Sequence, residues 1–317
     1  MTHADLELRS ESDGLILRGH VWRPVPSAEQ PRPKAVVHIA HGMAEHAGRY
    51  ARFAGALNAA GYAVYGFDHR GHGRTAVMHG GTGALGHMAD GDGWNRALTD
   101  LLQINRFAAA AEGGLPVLLF GHSMGSFMTQ RYVELHAATI RGAVLCASNG
   151  KPPPISGLGK LIARAERLRL GRQGHSALIQ KMGLGAFNKR FEPARTPFEW
   201  LSRDAAEVDA YMADPFCGHE MSTQFWVDFL DGLSEMAEPA EQAKVPKDLP
   251  LLIIAGTHDP VSAGTRGLHQ LLQAYQAAGL SRVEHIFYEQ ARHELLNETN
   301  RDAVTADVIR FLDGCLA

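Results

Sequence analysis

Pro116-Val117-Leu118-Leu119-Phe120-Gly121-His122-Ser123-Met124-Gly125 runs from a short apolar stretch into a serine flanked by glycines, and a helical pattern follows from Ser123 to His136. Four to six apolar residues closed by glycine read as a buried strand, and the glycines permit an abrupt turn into the helix. Outward from this point the same alternation recurs. Upstream, Ala35 to Ala40 and Tyr62 to Phe67 read as strands, with helices over Tyr50 to Ala60 and Gly91 to Ala111. Downstream, Ile140 to Ala147, Leu251 to Gly256 and Val283 to Tyr288 read as strands. Helices are expected from about Glu220 to Met236, up to Ala278, and up to Leu312.

Short apolar strands alternating with longer amphipathic helices predict an α/β fold, with a mostly parallel sheet covered by helices on both faces. Asp5 to Arg9 and Leu15 to Trp22 read as an antiparallel hairpin at the sheet edge, joined to the core by the proline-rich stretch Pro24 to Pro33. The alternation stops at Asn149-Gly150-Lys151-Pro152-Pro153-Pro154, and no buried strand is legible again before about Gly218. The expected organisation is therefore one core, residues 1–149 and 219–317, interrupted by a helical cap at 150–218.

A serine hydroxyl attacks an acyl carbon only when the fold exposes it, sets a base beside it and stabilises the oxyanion that forms. A glycine-serine-glycine turn between strand and helix is the nucleophile elbow of the α/β-hydrolase fold, which orders its partners as serine, acid, histidine along the chain. Asp259 follows the strand ending at Gly256, and His293 follows the strand ending at Tyr288. Ser123 is then the expected nucleophile, His293 the base, and Asp259 the group that orients the ring and stabilises the imidazolium. His258 and Glu294 are chain neighbours of better-placed candidates, His285 lies within a strand, and Asp209 and Asp214 belong to the insertion. The oxyanion donors are expected to be the main-chain N–H groups of Met124 and of Met43, in the loop His41-Gly42-Met43-Ala44-Glu45-His46.

The bulk composition excludes several other classes. A net charge of -3 and 21% charged residues suit neither nucleic acid nor polyanion binding. Cys146, Cys217 and Cys315 lack the spacing of a zinc site or a disulfide framework. The first twelve residues are mostly polar and charged, and no run of about 18 apolar residues occurs, so a cytoplasmic chain without a membrane span is expected. His38, His41, His46, His69 and His72 with Asp68 do not form a metal-binding pattern, since one lies on a strand and the rest are divided between two loops. Asp68-His69-Arg70-Gly71-His72-Gly73 is expected instead to knot its loop through ionic and backbone hydrogen bonds.

His41 to His46 with Arg49-Tyr50, Asp68 to Gly73, the elbow, and Ala291-Arg292-His293-Glu294-Leu295-Leu296-Asn297-Glu298 together resemble the monoacylglycerol lipases and bacterial lysophospholipase-like serine hydrolases. These blocks are spread over the core, about residue 34 to 312, whereas the cap resembles the family weakly. The resemblance implies hydrolysis of a glycerol or lysophospholipid ester, no cofactor, and a helical cap forming the acyl tunnel. Ser126 stands where many members carry another glycine.

Within the insertion, residues 151–195 hold ten lysines and arginines against Glu166 and Glu192, a balance of +8 that leaves -11 for the remainder. Interleaved leucines make this region a candidate for peripheral contact with anionic membrane, against the plainer reading of a cap whose basic side is solvated. Phe187, Phe191, Phe198, Trp200 and Phe216, with Met221, are candidate acyl-site residues, and ordinary packing accounts for each equally. Cys217 reads as a buried structural thiol. The same triad would also suit a short-chain carboxylesterase or an aminopeptidase, and a catalytically silent hydrolase fold that binds a ligand is the alternative outside enzymes.

Overall fold

A computed structural model describes residues 1–28, 30–152 and 156–317, together with the course but not the side chain of residue 184. Eight strands form one sheet: β1 (Thr2–Arg9), β2 (Ile16–Arg23), β3 (Ala35–Ala40), β4 (Tyr62–Phe67), β5 (Val117–His122), β6 (Ala143–Cys146), β7 (Leu251–Gly256) and β8 (Val283–Tyr288). Their order is β1-β2-β4-β3-β5-β6-β7-β8. The N-terminal hairpin β1-β2 joins antiparallel to β4, and every pair beyond it is parallel.

Alternation at the centre of the sheet explains why these strands are apolar on both sides. Along β3, Val36 and Ala40 enter one core while Ala35, Val37 and Ile39 enter the other; along β5, Val117 and Leu119 oppose Leu118 and Phe120 in the same way. Helices α1 (Ala51–Ala59) and α12 (Arg301–Gly314) close one face through Phe53, Leu57, Val304 and Val308. Helices α3 (Gly93–Ala111), α4 (Met124–His136), α9 (Thr223–Glu235) and α11 (Arg266–Ala277) close the other through Leu101, Met128, Phe225 and Leu271.

Outside the insertion, two short α-helices were not legible in the sequence, one of them the four-residue Pro239–Gln242. Residues Gly73–Gly80 form α2, short and glycine-bounded, directly after the knotted loop. That loop is tied as expected: Asp68 accepts from the Ala47 and Arg74 N–H groups, and the buried Arg70 guanidinium pairs with Asp100 and Asp13. Strand β5 runs to His122, two residues beyond its expected end, and β6 is confined to Ala143–Cys146.

Between β6 and β7 the described residues add no strand to the sheet. They form α5 (Ser156–Leu170), α6 (Ala177–Met182), α7 (Leu184–Phe187) and α8 (Ala205–Ala213), then α9 and α10 (Pro239–Gln242). Helix α5 packs along α9. No described helix is long and apolar enough to cross a membrane.

Candidate active site

Ser123 sits at the turn between β5 and α4 with φ 51° and ψ -117°, a left-handed conformation that costs a non-glycine residue about 1–3 kcal/mol. The surroundings impose it. A Cβ on Gly125 would lie 2.0 Å from the Ala40 carbonyl oxygen, and one on Gly121 would lie 2.4 Å from the Gly125 carbonyl oxygen. Both flanking positions therefore require glycine through close backbone approach. Ser126 fits without a glycine because its hydroxyl donates to the Ser123 carbonyl at 2.6 Å.

The loops after β7 and β8 bring Asp259 and His293 together although 34 residues separate them. His293 Nδ1 lies 3.0 Å from Asp259 Oδ2, and Asp259 Oδ1 accepts from the Val261 N–H at 2.9 Å. Both side chains are buried, so water does not compete for this contact. Burial pulls the His293 ring toward its neutral form, but the Asp259 carboxylate, with Glu294 and Glu45 beyond it, outweighs burial and holds its pKa above the usual histidine value. With Nδ1 committed to the carboxylate, Nε2 is the nitrogen left for Ser123.

Ser123 and His293 line one cavity with Gly42, Met43, Glu45, His122, Trp200, Leu201, Tyr211 and Glu294. Its volume is about 30 Å³, room for a water molecule or two. No acyl chain fits in this conformation. Among the described residues, neither the Met43 nor the Met124 N–H meets an acceptor, and Met124 is the first residue of α4, where helical N–H groups lack internal partners.

Of the expected acyl-site residues, only Trp200 reaches this cavity. Its ring packs at a tilt against His293 at 4.9 Å and against Phe187 at 5.1 Å, while Phe191 and Phe198 pack behind it with Leu201 and Tyr211. Phe191 lies beneath the Arg292 guanidinium. Phe216 points elsewhere, edge-on to His46 at 5.6 Å, and Met221 is part of the main core. His258, His285, Asp209 and Asp214 all lie outside the cavity lining.

Arg49, quoted above only for the motif it completes, holds the loops of this site together. Its Nη1 donates to Glu45 Oε2 at 2.8 Å and to Glu294 Oε1 at 2.6 Å, while Nη2 donates to Glu294 Oε2 at 2.8 Å. Glu45 in turn accepts from the Gly42 N–H at 2.5 Å and from the Tyr50 hydroxyl at 2.8 Å, fixing the turn that carries Met43. One guanidinium thus links the Met43 loop to the His293 loop. Burial opposes the charge on Glu294, but Arg49 prevails and holds its pKa below the usual carboxylate range. The neighbouring His122 ring is pushed down to about 4 by burial and stays neutral.

Residues 200–203 of the segment after β6 are strapped to the same histidine loop. The His293 and Glu294 N–H groups donate to the Trp200 and Leu201 carbonyls, Arg292 donates to the Ser202 carbonyl, and buried Glu298 accepts from Arg203.

An eight-stranded sheet with its elbow after β5 and a helical insertion after β6 defines an α/β hydrolase. Residues 31–300 match the model of the serine aminopeptidase, S33, family, and the chain belongs to that family. Among curated relatives it is 29% identical over 300 residues to a monoacylglycerol lipase of Mycolicibacterium smegmatis, covering 92% of this chain and 91% of that one. It is 26% identical to the monoglyceride lipase of Homo sapiens over 297 residues, covering 93% and 86%. Among solved structures, a thermostable carboxyl esterase from Bacillus coagulans in complex with glycerol superposes with a TM-score of 0.89 at 26% identity over the whole of both chains. A structure described as a lipase in its open form gives a TM-score of 0.85 at 27% identity, covering 99% of each chain.

Proposed function

We propose that this protein hydrolyses monoacylglycerols or closely related single-chain glyceryl esters through an acyl-enzyme on Ser123. The observation carrying the mechanism is the buried His293–Asp259 pair opening onto the same small cavity as the strained serine. His293 Nε2 removes the Ser123 proton as Oγ attacks the acyl carbon, and the oxyanion is received by the Met43 and Met124 N–H groups. His293 returns the proton to the glyceryl oxygen as the C–O bond breaks. Water then enters and gives a proton to His293 as its oxygen attacks the acyl carbon, and His293 passes that proton to Ser123 Oγ as the ester bond breaks, freeing the carboxylic acid.

The substrate class is supported by relatives named for monoacylglycerol hydrolysis and by the glycerol-bound carboxyl esterase of matching fold. The family description raises an aminopeptidase reading, which needs a free carboxylate to receive the substrate ammonium. The carboxylates lining the cavity, Glu45 and Glu294, are both engaged by Arg49, which favours an ester. Entry of an acyl chain requires Trp200 and Leu201 to withdraw, so the helical segment at 150–218 acts as the cap.

The outer surface of that cap suits a lipid interface. Leu158, Leu161, Leu168, Leu178 and Met182 are exposed, Leu168 by 84%, among the lysines and arginines of 151–195. These apolar side chains enter the headgroup boundary while the cations meet anionic lipid. The defining test is a hydrolysis profile over p-nitrophenyl esters, monoacylglycerols, lysophospholipids and aminoacyl amides. Monoacylglycerols should lead, with near-complete loss in Ser123→Ala and His293→Ala and a smaller loss in Asp259→Asn. Wild-type rates in Ser123→Ala exclude the mechanism, and preference for aminoacyl amides excludes the substrate class. Sedimentation with vesicles should rise with anionic lipid and fall with salt.

A further inference from the structure

Beside the Met43 loop, three side chains of unlike chemistry converge. His46 Nε2 lies 2.9 Å from Asp214 Oδ2, and the Cys217 thiol stands with them so that all three ligand atoms fall within 4.8 Å of one another. The turn that ends α8 creates this grouping. The Phe216 N–H donates to Asp214 Oδ1 and the Cys217 N–H to the Asp214 carbonyl, which brings carboxylate and thiol to the same side. The next residue, Gly218, donates to the Ala44 carbonyl at 2.9 Å, docking the turn on the loop that carries Met43 and His46.

We propose that His46, Asp214 and Cys217 form a binding site for a divalent cation of the zinc or cadmium class, which when filled pins the cap's return limb to the Met43 loop. One sulfur, one imidazole nitrogen and one carboxylate oxygen are the donor types such borderline-soft cations take. Tetrahedral coordination with bonds of about 2.0–2.3 Å needs ligand atoms roughly 3.3–3.8 Å apart, a small adjustment from the spacing present. The fourth position is left for water. Burial, with Asp214, Glu45 and Glu294 around it, holds the Cys217 thiol above its ordinary pKa against the pull of Arg49, so a bound cation must displace that proton. His46 and Asp214 side chains are 16% and 29% exposed, so the site is reachable from solvent. Binding replaces the thiol proton, which passes to buffer as the metal–sulfur bond forms. A second trio, His3, Asp5 and His20, is a weaker candidate because Arg74 already pairs with its carboxylate at 2.9 Å.

Loading ties residue 46 to residues 214 and 217 across the seam that must loosen for the cap to move, so it should slow turnover. The test titrates the full-length protein with Cd2+ alone, reading the thiolate-to-metal charge-transfer absorbance. Parallel p-nitrophenyl ester assays with Zn2+ are normalised to each protein's own rate in chelator. The expected result is one equivalent of Cd2+ bound with a charge-transfer band that Cys217→Ser abolishes and Asp214→Asn weakens at least about tenfold in affinity. Zn2+ should inhibit wild type at concentrations at least about tenfold below those that inhibit Cys217→Ser. A missing band, a band that persists in Cys217→Ser and so arises from Cys146 or Cys315, or superimposable Zn2+ inhibition curves overturns the proposal. So does stoichiometric binding that leaves the ester rate unaltered. The band does not depend on catalysis, so its outcome is separate from that of the proposed substrate.

Discussion

Replacing Arg49 by methionine keeps most of the buried stem and removes the one cation that joins Glu45 to Glu294. Both carboxylates are buried, with side chains 4% and 6% exposed, and Arg49 meets them through three hydrogen bonds. Breaking a buried ion pair by deleting one partner costs about 3–5 kcal/mol, since the remaining charge is left without compensation. Unfolding entropy of about 2.1 cal/mol/K per residue gives roughly 0.67 kcal/mol/K for 317 residues, so the expected fall in Tm is about 5–8 °C at pH 7. The sign with pH follows from Glu294. Its pKa is lowered in the folded wild type, so its stabilisation is complete above the unfolded carboxylate value and fades as pH falls below it. In the variant, burial without Arg49 raises that pKa, and protonation relieves the penalty in acid. The gap between the two proteins should therefore be widest at neutral pH and narrow below about pH 4. Thermal unfolding across this range, with ester hydrolysis at each point, measures both effects. A Tm within about 1 °C of wild type at pH 7, or a gap that widens in acid, refutes the account of Arg49 as the buried link.

Three further outcomes follow from the same geometry. Ester hydrolysis should rise with pH through a midpoint above the ordinary histidine value, because only the neutral His293 ring accepts a proton and Asp259 favours its charged form; Asp259→Asn should move that midpoint down, and an unmoved midpoint contradicts the pairing. Gly125→Ala, whose Cβ meets the Ala40 carbonyl oxygen at 2.0 Å, should lower stability by about 1–3 kcal/mol or prevent folding, while Gly83→Ala, facing open space, should unfold within about 0.5 kcal/mol of wild type by denaturant titration. Trp200→Ala should widen the cavity beside His293 and flatten the dependence of rate on acyl chain length, and an unchanged chain-length profile removes Trp200 from the acyl path.

The sheet was legible because each parallel strand is a short run of apolar residues with both faces buried, a pattern that survives without knowledge of its neighbours. Ser123, Asp259 and His293 could be proposed from the sequence because the fold places such groups after particular strands, so their order along the chain carries information; the structure sets Asp259 and His293 3.0 Å apart and gives Ser123 and His293 a common cavity. What escaped the sequence is set by contacts between distant residues. Arg49 and Glu294 are 245 positions apart, and no local periodicity marks an arginine that will be enclosed by two carboxylates. Helix α2 is eight residues long with glycine at both ends, too brief to show an amphipathic period. In the insertion, aromatic residues alone do not say which way they face, and Trp200 and Phe216 accordingly take different directions.

The division of charge between the 151–195 segment and the rest of the chain gives the molecule a preferred heading. With a formal +8 on the segment and -11 elsewhere, the docking proposed above should begin with a negatively charged surface attracting this segment and repelling the rest, even though Lys160, Arg164 and Arg195 are partly offset by Asp231, Asp209 and Glu199. Rotation during approach should then present residues 151–195 to that surface. Collisions in other attitudes are turned away, and raising the salt concentration should slow productive capture before it changes the chemistry of the bound enzyme.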